Sequence, residues 1–167
     1  MKFSLILCTY QRKFEVVDAF VESLLNNTYK NWELIVVDQN ENDEILSGFE
    51  QKYKDFLRTG RIRVLRVPFK GLSRSRNFGL QYISSDADVI AFPDDDCEYP
   101  PELLEKISKL LENPKIDIVT GRSVDKKTKQ DSNGRWSSKD TRINLYNVWT
   151  TTTSFTIFVR RKCLKIT

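Results

Sequence analysis

The sequence contains no histidine. That excludes a Ser-His-Asp triad, a Cys-His dyad and any histidine-ligated metal within this chain. Cysteine is scarce: Cys8, Cys97 and Cys163 are odd in number and far apart. They read as reduced thiols of a cytosolic protein, not as a disulfide framework. No apolar run approaches the ~18 residues that a membrane-spanning helix needs. The opening stretch MKFSLILCTYQRKF turns polar too early for a signal peptide. The expectation is a cytoplasmic protein, with peripheral docking at the inner face of a membrane left open. The surplus of positive charge is small, +4, and no RNA- or DNA-binding motif occurs, so no nucleic-acid partner is expected. The alternating ligands and central glycine of an EF-hand are absent as well.

What remains is a length of 167 residues, suited to one domain over 1–167. Short apolar runs alternate with helical periods. Phe3 to Cys8, Glu33 to Asp38, Asp88 to Phe92 and Ile116 to Gly121 read as buried strands. Arg61 to Val67 alternates arginine with apolar residues, as an edge strand does. Phe14 to Asn27 has a helical face of Phe14, Val17, Val21, Leu24 and Leu25. A helix within Glu44 to Leu57 would bury Leu46, Phe49, Tyr53 and Phe56. Ser73 to Ile83 would bury Phe78, Leu80 and Ile83. Pro100 and Pro101 suit the first turn of a helix burying Leu103, Leu104, Ile107, Leu110 and Leu111. Asp125 to Asp140 reads as a loop or hairpin, and Thr153 to Arg161 as a last strand. This alternation predicts an α/β fold with a mostly parallel sheet and helices on both faces.

Ligands of such sheets bind outside the carboxyl ends of the strands. The segments there are polar: Thr9, Tyr10, Gln11 and Arg12; Asp38, Gln39 and Asn40; Phe69 to Asn77; and the run Asp94, Asp95, Asp96. Two carboxylates about 6 Å apart repel by about 3 kcal/mol at an effective dielectric of about 20. A divalent cation would cancel that repulsion, and magnesium or manganese prefers such oxygens and also binds substrate phosphates. Arg74 and Arg76 beside Gly71 suit phosphate contact. Together these features suggest a nucleoside diphosphate ligand, without naming the base. Each residue also has a plainer reading. Asp96 could serve a helix dipole, Arg74 and Arg76 a solvated helix face, Tyr10 packing, Asp38 a turn and Cys97 a filler.

The stretches FSLILCTYQRKFEVVDAFVESLLNNTYKNWELIVVDQNEND and GLSRSRNFGLQYISSDADVIAFPDDDCEYPPELLEKI resemble the nucleotide-binding half of a family-2 glycosyltransferase. The resemblance spans residues 1 to about 122 and, more weakly, the last strand. It implies a GT-A-type, Rossmann-like sheet and a nucleotide-sugar donor, commonly UDP-linked. It also implies inversion at the anomeric carbon, a manganese or magnesium ion, and a glycan or lipid-linked acceptor, as in polysaccharide biosynthesis. Carried over, Thr9 and Tyr10 would line the base pocket, Asp38 would contact the base or ribose, Arg12 would belong to the nucleotide site, and Arg74 or Arg76 would lie near the diphosphate. Asp94, Asp95 and Asp96 match the DxD region: Asp94 or Asp95 toward ribose and phosphate, Asp96 as main metal ligand with Asp94 beside it. The family often continues Asp-Asp-Gly-Ser after the second strand, where this chain has Asp38-Gln39-Asn40. The catalytic base is expected beyond Thr167, so the chain reads as a piece of a longer enzyme that transfers sugar poorly or not at all by itself. A sugar nucleotidyltransferase ranks behind, since CTYQRKF lacks a phosphate-loop glycine. A non-catalytic nucleotide-binding module is the alternative of another class.

Overall fold

The computed structural model describes residues 1–132 and 139–164. Its six-stranded sheet has the order β3-β2-β1-β4-β6-β5. Strands β1 (Phe3–Thr9), β2 (Trp32–Asp38), β3 (Ile62–Arg66) and β4 (Val89–Ala91) run parallel. The last strand, β6 (Ile157–Arg160), inserts antiparallel between β4 and β5 (Ile118–Thr120). β1 and β2 are buried along their whole length, which is why both read as mainly apolar runs. β3 lies at the sheet edge, as its alternating arginines require.

On one face Phe3, Leu5, Leu7, Leu34 and Val36 pack with α1 (Phe14–Leu25), α2 (Glu44–Lys52) and α5 (Leu103–Leu110). On the other, Ile6, Ile35, Val37 and Ile90 lie under α4 (Leu72–Leu80). Helices therefore cover both faces of a mostly parallel sheet. Among the described residues no helix is long and apolar enough to cross a membrane.

Several helical faces differ from expectation. The 44–57 segment breaks at Tyr53 into α2 and α3 (Lys54–Arg58), and Ile45, not Leu46, is buried with Phe49. The spacing Ile45, Phe49, Tyr53 is the true four-residue stripe. In α1 Phe20 is fully buried while Phe14 and Leu25 stay partly covered. Leu110 of α5 is exposed, and Pro100 and Pro101 precede that helix in a turn. In the 125–140 segment, part of which lies outside the described residues, Asp131 bridges antiparallel to Val124 just before it.

α4 departs most. Its sheet-facing residues are Ser75 and Gly79, while Phe78, Leu80 and Ile83 are only half-buried. The cause is close approach: a Cβ on Gly79 would sit 2.5 Å from Ile6 Cγ2. Gly79→Leu gains under about 1 kcal/mol of helix propensity. Overpacking is larger, so a net loss of about 1–3 kcal/mol is expected. A urea unfolding midpoint lower than wild type is the sign to look for.

Candidate functional site

The three acids follow β4 in a tight turn, closed by the Cys97 N–H donating to the Asp94 carbonyl at 3.4 Å. α5 begins only at Leu103, so Asp96 does not cap it. The Arg12 guanidinium, from the loop after β1, donates through Nε to Asp95 at 3.3 Å and through NH2 to Asp96 at 3.1 Å. The Arg76 guanidinium, from α4, donates to Asp94 at 3.1 Å and to the Phe92 carbonyl at 3.4 Å. Two guanidinium groups thus stand against three carboxylates, which leaves a negative excess. Burial pushes the Asp94 carboxyl above the ordinary range; Arg76 opposes this, and Asp96 and Asp95 add to it. Burial also raises Asp95, against Thr9 and Arg12.

Tyr10, Arg12, Asp94, Asp95 and Asp96 line one cavity of about 390 Å³, within the range of small-molecule sites. A second cavity of about 550 Å³ adjoins it and shares Tyr10, Arg12 and Lys70. Thr9 and Asp38 do not line either one. They are fully buried, in register on neighbouring strands. Among the described residues the Thr9 hydroxyl and Asp38 Oδ2 have no hydrogen-bond partner of good geometry. Burial raises the Asp38 carboxyl, against two hydrogen bonds from Asn40. Arg74 turns away from the acids and stacks on Phe69, 4.1 Å from its ring centre. Cys8 lines the cavity, but burial pushes its thiol up to about 12, which removes it as a nucleophile. Cys97, also pushed up to about 12 by burial, is equally inert.

Two polar side chains of the cavity were given no individual role in the sequence reading: Gln39 and Lys70. Lys70 lies 5.1 Å from the Tyr10 ring centre and pairs with Glu41 at 3.1 Å. Its position just before Gly71 in a polar strand-end segment was the available signal.

Among the described residues no three His, Cys, Asp or Glu side chains converge as a complete metal cage. A magnesium-type ion does not need one, because it keeps waters and takes one or two carboxylates plus substrate phosphates. Asp96 is the most exposed of the three acids, with a side chain 57% accessible, and only one Arg12 N–H holds it. Asp96, with Asp94 beside it, therefore fits such an ion by donor type and by the one negative charge that the two guanidinium groups leave unbalanced in the cluster.

Residues 4–164 match the family model described as Glycosyl transferase family 2. The chain belongs to this family. It is 35% identical over 118 residues to an uncharacterized glycosyltransferase of Haemophilus influenzae, covering 70% of this chain and 37% of that protein. It is 34% identical over 128 residues to the glucosyl-dolichyl phosphate glucuronosyltransferase of Haloferax volcanii, covering 74% of this chain and 38% of that one. The chain thus spans well under half the length of these curated relatives. In fold it is similar to S. aureus TarS 1–349, with a TM-score of 0.70 at 21% identity, over 96% of this chain and 47% of that one. The mannosyltransferase PcManGT of Pyrobaculum calidifontis aligns with a TM-score of 0.61 at 17% identity, over 71% of this chain and 34% of that one. TarS has been solved with UDP and with UDP-GlcNAc, and PcManGT with GDP-Man and Mn2+. The sheet and its flanking helices are those of this family's GT-A fold.

Proposed function

We propose that this chain is the donor-binding part of an inverting, metal-assisted glycosyltransferase that takes a nucleoside-diphosphate sugar. One observation carries the reading: an acid-rich turn held by Arg12 and Arg76 lines a cavity at the carboxyl ends of parallel strands. The nucleotide-sugar ligands of TarS and PcManGT support the donor class. The glucosyl-dolichyl phosphate named for the Haloferax relative supports a lipid-linked acceptor.

The chemistry needed is separation of a diphosphate from the anomeric carbon as an acceptor hydroxyl attacks the opposite face. Tyr10 offers a ring at the cavity wall, and Lys70 and Arg12 offer cations facing the same space. Fixed positive groups at a departing diphosphate lower the barrier because they need no reorganisation when charge develops. A magnesium or manganese ion, held through Asp96 and Asp94, would supply Lewis-acid stabilisation of the same leaving group. Asp95 is largely buried and engaged by Arg12, so it orients that guanidinium. Arg12 and Arg76 already engage the three acids, so we assign the proton acceptor for the attacking hydroxyl to none of them.

Calorimetric titration of UDP, GDP and dTDP, each with and without Mn2+, tests the proposal. One diphosphate, expected to be UDP, should bind, and the ion should tighten it about ten-fold or more, or 1.4 kcal/mol per factor of ten. Equal weak binding of all three, indifferent to metal, would remove the donor assignment.

A further inference from the structure

Gln39 and Asn40 stand where the sequence departs from the family's common continuation after β2. Both are buried, 6% and 8% exposed. Each side-chain oxygen catches a backbone N–H on a different loop. Gln39 Oε1 accepts from the Gly71 N–H at 2.8 Å, and Asn40 Oδ1 from the Gln11 N–H at 2.6 Å. Each amide nitrogen then donates elsewhere: Gln39 Nε2 to the Thr9 carbonyl at 3.4 Å, Asn40 Nδ2 to Asp38 at 2.7 Å. Gln11 and Gly71 both have positive φ, at 53° and 122°. For a glutamine that region is sparsely populated and persists only where neighbours over-determine it. The two captured N–H groups therefore belong to the two unusual backbone positions of the loops that face each other across the cavity.

We propose that Gln39 and Asn40 are positioning residues, which hold the Tyr10–Lys13 loop and the Phe69–Leu72 loop at a fixed spacing before the donor enters. The proposal rests on reading the cavity as the donor site. Its chemical reason is that an amide both donates and accepts, so one side chain can tie two chain segments. A carboxylate at position 39 could still accept from Gly71 but could not donate to Thr9. A glycine there would leave the Gly71 N–H uncaught. Lys70 over the Tyr10 ring adds a further tie between the same two loops. Loops already ordered in the free protein lose less entropy on binding, so the ties act through donor affinity.

The test uses Gln39→Met, which removes both bonds at similar volume, Gln39→Glu, which keeps the acceptor, and Asn40→Ala. Amide hydrogen exchange in the free protein reads the ties directly. Calorimetry with UDP and Mn2+ reads their effect, and urea unfolding checks the fold. In Gln39→Met the Gly71 amide should exchange about ten-fold faster, and the UDP Kd should rise by about the same factor, with the unfolding midpoint near wild type. Gln39→Glu should restore Gly71 protection and most of the affinity. Asn40→Ala should release Gln11 in the same way. Unchanged protection in Gln39→Met and Asn40→Ala overturns the proposal, as does faster exchange with unaltered UDP affinity. If the wild-type chain binds no nucleoside diphosphate, the donor reading fails, and exchange at Gly71 and Gln11 still decides whether the amides hold the loops.

Discussion

Glu33→Ala should lower the stability of this chain by about 3–5 kcal/mol, the cost of breaking a buried ionic cluster from one side. Glu33 is 3% exposed at the start of β2. Its carboxylate accepts the Ser4 hydroxyl of β1, the Ser84 N–H at 2.7 Å and the Ser84 hydroxyl at 2.5 Å. It also accepts an Arg63 N–H of β3 at 2.5 Å. Four donors from three separate segments converge on one group, so its removal strands the fully buried Ser4 hydroxyl and leaves the part-buried Ser84 and Arg63 donors without their common acceptor. Burial pushes this carboxyl up, but the bonds from Ser4 and Ser84 and the Arg63 charge outweigh it, and the carboxyl ends below its ordinary value of 4.5. A depressed folded value means the stabilisation is fully present above pH 4.5 and is lost as pH falls through the folded value. The stability gap between wild type and Glu33→Ala, measured in urea, should therefore be wide at neutral pH and narrow in acid. A gap of the same width at both would show that the cluster acts through packing, not charge.

Asp96→Ala should abolish the metal-dependent part of UDP binding, about ten-fold or more in Kd, while the unfolding midpoint stays near wild type. The two halves of that expectation have separate causes. The Asp96 side chain is 57% exposed and among the described residues pairs only with Arg12, a partner that is itself 45% exposed, so its loss costs the fold little. It also brings the most accessible carboxylate to the acid-rich turn, where burial already raises Asp94 and Asp95. Arg12→Leu should act in two directions. With its guanidinium gone from Asp95 and Asp96, Mn2+ alone should bind more tightly, and UDP without metal more weakly. Manganese binding followed by electron paramagnetic resonance, beside calorimetry of UDP in chelator, separates the two signs. Weaker binding of both would mean that Arg12 only braces the turn.

Much of the fold was legible because its signals are local. Mainly apolar runs mark strands covered on both faces, and β1 and β2 are buried throughout. The arginines alternating along β3 mark an edge, and β3 is one. The rule that strand ends gather polar segments brought Tyr10, Arg12 and the three aspartates to one rim, and these five line one cavity. What was not legible depends on how distant segments pack. A helical stripe was read from large apolar residues, whereas α4 meets the sheet through Ser75 and Gly79, where the backbone comes too close for side chains. Thr9 and Asp38 have a ligand role only through the resemblance; in the structure their places at the ends of fully covered strands bury them. Arg74 and Arg76 looked alike in SRSRN, yet helix geometry aims Arg76 at Asp94 and Arg74 at Phe69.

By itself the sequence determined the alternating α/β order, the family and the rim on which polar groups collect, because period, turn chemistry and strand polarity are written within a few neighbouring residues. Only the tertiary structure decided which charges meet and which amides hold the loops. Arg12 finds Asp95 across 83 positions, and Gln39 finds Gly71 across 32. Such pairings come from sheet order and helix placement, which bring together segments whose local patterns carry no mark of one another.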